Sequence, residues 1–155
     1  MIFEKTKLEQ VFVIMPEKII DERGFFARIF DEKKFEEKGL DYKIKQCNIS
    51  FNKIKGTIRG IHFQKNPCQE AKFVRCVKGS IFVVIIDLRQ ESKTFLEKIH
   101  LELNSVTHNL LYVPEGIGLG IQTLQDNSEL FYQMTQNYVP EFASGILWND
   151  PFFNI

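Results

Sequence analysis

The segment Gly56-Thr57-Ile58-Arg59-Gly60-Ile61-His62-Phe63-Gln64 sets a guanidinium, an imidazole and an amide along one stretch of β-forming residues. Imidazole titrates near neutrality, so it can take up or release a proton under ordinary conditions. Guanidinium grips phosphate oxygens two at a time. In a regular strand Arg59, Ile61 and Phe63 face one way, and Ile58, Gly60, His62 and Gln64 the other. A bulge at Gly60 would break that alternation. Upstream, Gln46, Asn48 and Ser50 recur at period two, interleaved with Cys47 and Ile49. One face of that stretch is polar and suited to line a cavity.

The elements that must position these groups are short and mostly β. Strand signals cover 1–5, 10–14, 42–51, 56–63, 71–77, 81–87, 95–103, 110–113, 117–124 and 129–135. Asp21-Glu22-Arg23-Gly24, Lys78-Gly79-Ser80, Pro114-Glu115-Gly116 and Gln125-Asp126-Asn127 read as turns. One helix is expected over 32–38, with Asp31 as its cap and Gly39 as its stop. The tail from Tyr138 to Ile155 is irregular but aromatic, and is expected to pack on the body. Many short strands at regular spacing indicate an all-β antiparallel sandwich or barrel. There is no repeat, low-complexity segment or linker, so 1–155 reads as one domain.

Composition excludes several classes. Twenty basic and twenty acidic residues cancel, so no global field favours nucleic acid or an anionic membrane. Cys47, Cys68 and Cys76 are odd in number and lack paired Cys-X-X-Cys spacing. They read as free thiols in a reducing compartment. No signal-peptide pattern is seen, and no run approaches the ~18 apolar residues of a membrane helix. A cytoplasmic protein is expected. Fifteen phenylalanines suit a fold with wide interior faces to fill.

Arg59-Gly60-Ile61-His62-Phe63-Gln64 resembles the Arg-Gly-Leu/Ile-His-Tyr/Phe-Gln signature of the dTDP-4-dehydrorhamnose 3,5-epimerase family. Further motifs follow in the family order. Asp21-Glu22-Arg23-Gly24-Phe25-Phe26 is similar to its early turn, and Gln46-Cys47-Asn48-Ile49-Ser50 to its polar strand. Lys72 follows Gln69 at the family spacing, and Asp87-Leu88-Arg89 matches a strand end. Pro114-Glu115-Gly116, Tyr132 before Tyr138-Val139-Pro140, and Trp148-Asn149-Asp150-Pro151 complete the set. The resemblance implies a cupin-type jelly roll with one or two short helices, acting as a homodimer on a nucleotide-linked 4-keto-6-deoxy sugar. The implied reaction is epimerisation at C3, C5 or both, for cell-surface polysaccharide synthesis.

The residues suit that chemistry. His62 is the implied base, Lys72 can bring an ammonium to the enolate oxygen, and Tyr132 can return a proton from the opposite face. Arg23 and Arg59 are suited to the diphosphate, and Gln46 and Asn48 to hydrogen bonds with the substrate. Phe26 and Tyr138 fall at substrate-binding positions of the resemblance. No cofactor is implied. Cupins often hold a metal, but Gln64 stands where a second histidine would be needed. Lys72 takes the place of the acidic ligand and Leu119 that of the later histidine, so no metal is expected.

The chain also departs from the family pattern. Leu119 replaces a histidine, Val83 an aspartate, Arg28 an acidic residue, and Ala143 falls where another acidic residue is usual. The aspartate that orients the family's catalytic histidine has no evident substitute. These departures leave the nucleotide open. They also keep two alternatives in view: a related keto-sugar isomerase, and a non-catalytic cupin that binds a nucleotide sugar.

Overall fold

Runs of β-branched and aromatic residues, cut by glycine, proline and asparagine turns, become thirteen strands in the computed structural model, which describes all 155 residues. In chain order these are β1 (Ile2–Lys5), β2 (Phe12–Met15), β3 (Lys18–Asp21) and β4 (Gly24–Ala27), then the helix α1 (Glu32–Glu37). β5 (Gln46–Asn52), β6 (Ile58–Gln64), β7 (Lys72–Lys78), β8 (Ser80–Asp87) and β9 (Lys98–Asn104) follow. β10 (Leu110–Val113), β11 (Ile117–Thr123), β12 (Ser128–Met134) and β13 (Ala143–Gly145) complete the chain, with a 3₁₀ turn at Pro140–Phe142.

One sheet runs β1-β2-β10-β7-β12-β5 and the other β13-β6-β11-β8-β9. They pack as the expected jelly-roll sandwich, with open edges in place of a closed barrel. Val74, Cys76, Leu111, Val113 and Leu130 of the first sheet meet Ile81, Val83, Ile85, Ile117 and Ile121 of the second. β8 is apolar on both faces because both are covered: Val84 and Ile86 pack with Ile61 on the outside, under Ile146 and Phe153 of the tail. α1 lies against the outer face of the first sheet. Its Phe35 is fully buried, 5.1 Å from the Phe73 ring and 6.0 Å from that of Tyr112.

Three local expectations need correction. The stretch 42–45 is not strand; pairing with β12 begins at Gln46. Asp31 occupies the helix N-cap, but its carboxylate accepts from Arg28 instead of a helix amide. Lys18–Asp21 had no strand signal, being four residues without alternation, yet it pairs with β4 as an isolated hairpin. That hairpin joins neither main sheet and leaves Ile19, Ile20 and Phe26 exposed. No helix is long and apolar enough to cross a membrane.

The end of β8 is fastened by a buried carboxylate. Asp87 is fully buried and accepts from Arg89 Nε at 2.9 Å, Ser92 Oγ at 2.6 Å and Thr94 Oγ1 at 2.7 Å. Arg89 also donates to the carbonyl of Glu9 at 2.7 Å, tying the strand end to the loop before β2. Burial pushes the Asp87 pKa up, but the donors outweigh it and hold the carboxyl down at about 2. Asp87→Ala leaves Arg89 unpaired and is expected to cost about 3 kcal/mol in urea unfolding at neutral pH. A depressed carboxylate pKa means this stabilisation is present above the ordinary Asp range and is lost as pH falls toward 2. The difference between parent and variant should therefore shrink under acid.

Candidate active site

Between the sheets lies a cavity of about 580 Å³, walled on both sides. β6 and β11 supply Ile58, Arg59, His62, Gln64, Leu119 and Ile121; β5, β7 and β12 supply Ser50, Lys72, Val74, Leu130, Tyr132 and Met134. His62, Lys72, Tyr132, Arg59 and Tyr138 thus share one cavity. His62 stands on one sheet, while Lys72 and Tyr132 stand on the other.

Strict alternation would have pointed Arg59 and His62 to opposite faces. The bulge at Gly60 prevents this. Arg59 sits opposite Ile121 and His62 opposite Leu119, so three steps along β6 match two along β11. Both side chains then face the cavity, and Ile61 turns outward into the tail cluster. Gly60 permits the bulge with φ at +103° and no side chain. A Cβ there would come within 2.7 Å of the Leu119 carbonyl oxygen and 2.8 Å of Gly120 Cα.

On the facing sheet the register places Tyr132 opposite Val74 and Met134 opposite Lys72. Lys72 and Tyr132 are therefore diagonal neighbours on one face. Lys72 is buried, donates to the His62 carbonyl at 3.5 Å and lies 2.5 Å from Glu70 Oε1. Arg59 is exposed, and its Nε donates to Asn52 Oδ1 at 2.6 Å. Tyr138 reaches the cavity on a segment held from two sides. Its backbone N–H donates to Gln46 Oε1 at 2.8 Å, and Val139 N–H donates to Gln64 Oε1 at 2.6 Å. Gln64 also donates to the carbonyls of Cys68 and Asn137.

Four expected binding residues do not line the cavity. Gln46 is engaged with Tyr138, and Asn48 donates to the Met134 sulfur at 3.7 Å. Both still point to the polar side of β5, whose apolar residues Ile49 and Phe51 face outward. Arg23 and Phe26 ride on the separate β3–β4 hairpin; Arg23 is exposed and pairs with Asp21 at 2.6 Å. Among the departures, Leu119 and Ala143 do line the cavity. Arg28 pairs with Asp31 and Val83 is in the core, so neither reaches it.

Sequence reasoning missed three residues. Asn52 continues the period-two series of Gln46, Asn48 and Ser50, a signal that was there to extend. Gln64 sits in the motif but carries a structural duty, clamping 137–139. Glu70 falls in no motif, and its place in the cavity wall comes only from the fold.

The electrostatics favour a neutral imidazole. Burial pushes the His62 pKa below its ordinary value, and the nearby charges of Lys72 and Arg59 push it the same way. This lowering favours the unprotonated, proton-accepting form of His62, beside two cations able to receive negative charge.

Residues 5–155 match the family described as dTDP-4-dehydrorhamnose 3,5-epimerase. The chain is 40% identical over 149 residues to the dTDP-4-dehydrorhamnose 3,5-epimerase of Methanothermobacter thermautotrophicus, covering 96% of this chain and 80% of that one. The crystal structure of the enzyme of that name from Bacillus anthracis, with TDP and PPi bound, superposes with a TM-score of 0.94 at 35% identity, covering 99% of this chain and 87% of that one. That of dTDP-6-deoxy-D-glucose-3,5-epimerase from Legionella pneumophila, in complex with dTDP-4-keto-L-rhamnose, gives 0.90 at 30% identity, covering 99% and 81%.

Because the Lys72 ammonium depresses the His62 pKa, Lys72→Met should raise it. An NMR titration of the imidazole resonances checks this: His62 should titrate at higher pH in the variant than in the parent.

Proposed function

This chain belongs to the dTDP-4-dehydrorhamnose 3,5-epimerase family, and from that premise we propose that its cavity inverts carbon centres beside the ketone of a nucleotide-linked 4-keto-6-deoxy sugar. The observation that carries the reading is the placement of His62 and Tyr132 on opposing walls of one cavity. Inversion needs a proton removed from one face of a carbon and another delivered to the other. A base and an acid on facing sheets meet that need without moving the substrate.

His62, neutral at the start, takes the proton from the carbon next to the ketone. The C–H electron pair moves into the ring C–C bond, and the carbonyl pair moves onto oxygen as an enolate. Lys72 receives that oxyanion. A fixed donor of this kind is worth about 10²–10³ in rate. Tyr132 then protonates the carbon from the far side, the enolate collapses to the ketone, and the phenolate regains a proton as His62 loses one. Arg59, steadied by Asn52, holds phosphate oxygens of the nucleotide, and Tyr138 covers the substrate.

Arg23 and Phe26 fit the same reading in a homodimer. Their hairpin pairs with neither sheet and exposes Ile19 and Ile20, and delivery to a second subunit's cavity would give both residues a substrate to contact. Free thiols at Cys47, Cys68 and Cys76 suit a cytoplasmic location. The whole chain acts as one domain.

Incubation of dTDP-4-keto-6-deoxyglucose with the protein in D₂O, followed by mass spectrometry and NMR, tests the proposal. Deuterium is expected at C3, C5 or both, and its position states how many centres are inverted. His62→Ala should abolish exchange. Tyr132→Phe should retain exchange on the His62 face but lose inversion. Binding with no exchange at either carbon would mean a non-catalytic nucleotide-sugar protein.

A further inference from the structure

Glu70 is the one acidic side chain in the wall of the cavity. It lies two residues before Lys72, and alternation brings both to the same side of the chain. Pairing of this segment with β12 extends past the start of β7, since Thr135 N–H donates to the Ala71 carbonyl and Ala71 N–H to Thr135 Oγ1. The backbone beside Glu70 is therefore tied to the chain just after β12, and only 6% of the Glu70 surface is exposed. Its Oε1 is 2.5 Å from the Lys72 ammonium, while Oε2 is buried with no hydrogen-bond partner.

A carboxylate placed only to knit the fold normally fills both oxygens with donors. Asp87 in this same chain does so, through Arg89, Ser92 and Thr94. Glu70 directs its interaction to Lys72 alone. The ammonium has three N–H donors. Glu70 takes one, the His62 carbonyl on the facing sheet takes a second, and one remains for the cavity. The two acceptors fix the ammonium between the sheets, next to the strand that carries the base.

We propose that Glu70 is a positioning residue for the reaction, holding the Lys72 ammonium so that its free N–H meets the enolate oxygen formed when His62 removes the proton. This rests on the reading of Lys72 as the oxyanion donor. The carboxylate also balances the ammonium's charge before any substrate binds, so Lys72 need not swing toward solvent. The enolate shares with Glu70 a cation already in place.

The test uses the chain 1–155 and dTDP-4-keto-6-deoxyglucose, with deuterium exchange and epimerisation rates measured for Glu70→Gln, Lys72→Met and the double variant. Glu70→Gln keeps size and shape. It should lower kcat about tenfold or more while KM stays within about threefold, as for an interaction made only in the transition state. In the Lys72→Met background the same change should cost less than about twofold, because the two residues act as one unit. A smaller loss of kcat in the single variant, or losses that multiply in the double variant, would overturn the proposal. Circular dichroism and thermal melting show whether Glu70→Gln is folded. If it is not, Glu70→Asp keeps the charge but withdraws it by one methylene, and the same kcat-only loss is expected. Absence of exchange by the parent protein sinks the proposed function itself. Exchange by the parent that is equalled by Glu70→Gln sinks only the role of Glu70.

Discussion

Three residue steps along β6 span the distance that two steps along β11 cover, and the site depends on that mismatch. Without the bulge at Gly60, Arg59 would point away from the cavity when His62 points in. With it, the Arg59 guanidinium and the His62 imidazole share a wall, and Ile61 turns outward to hold the tail. The tail in turn carries Tyr138 to the cavity, through the amides of Gln46 and Gln64. One backbone irregularity, open only to glycine, thus couples the placement of Arg59 and His62, the approach of Tyr138 and the packing of the C-terminal segment.

The sandwich contributes the opposing walls. Each sheet is made rigid by its own hydrogen-bond ladder and by the core between them, so the groups they carry are preorganised instead of recruited on binding. Lys72 links the two walls, bonded to Glu70 on its own side and to the His62 main chain on the other. Partial burial and the charges of Lys72 and Arg59 lower the His62 pKa and so favour the neutral imidazole. That neutrality is what the proposed base requires, and the same cations are placed to receive the charge that its proposed action would create.

Much of this was legible in the residues. Period-two patterns and turn glycines indicate the all-β sandwich, and the order of short motifs points to the family. His62, Lys72, Tyr132, Arg59 and Tyr138 were named from sequence and meet in one cavity. The remainder depended on geometry that spacing does not encode. Gln46 and Asn48 were placed on the correct face of β5, but which partner each takes depends on a strand and a tail distant in sequence. Arg23 and Phe26 sit on a hairpin whose isolation from both sheets is a property of topology. Glu70 has no motif signal of its own. Its meaning comes from a single unshared contact and an empty second oxygen.

β5 is built inside out. Its polar residues face the interior, where they serve the cavity and the tail, so Ile49 and Phe51 are left on the outer face of a strand at the sheet's edge. Such an edge, with unpaired backbone and greasy side chains, is a template on which other chains can stack indiscriminately. The cost of lining a polar cavity from an edge strand is therefore colloidal. Solubility and the chemistry of the cavity then draw on the same seven residues.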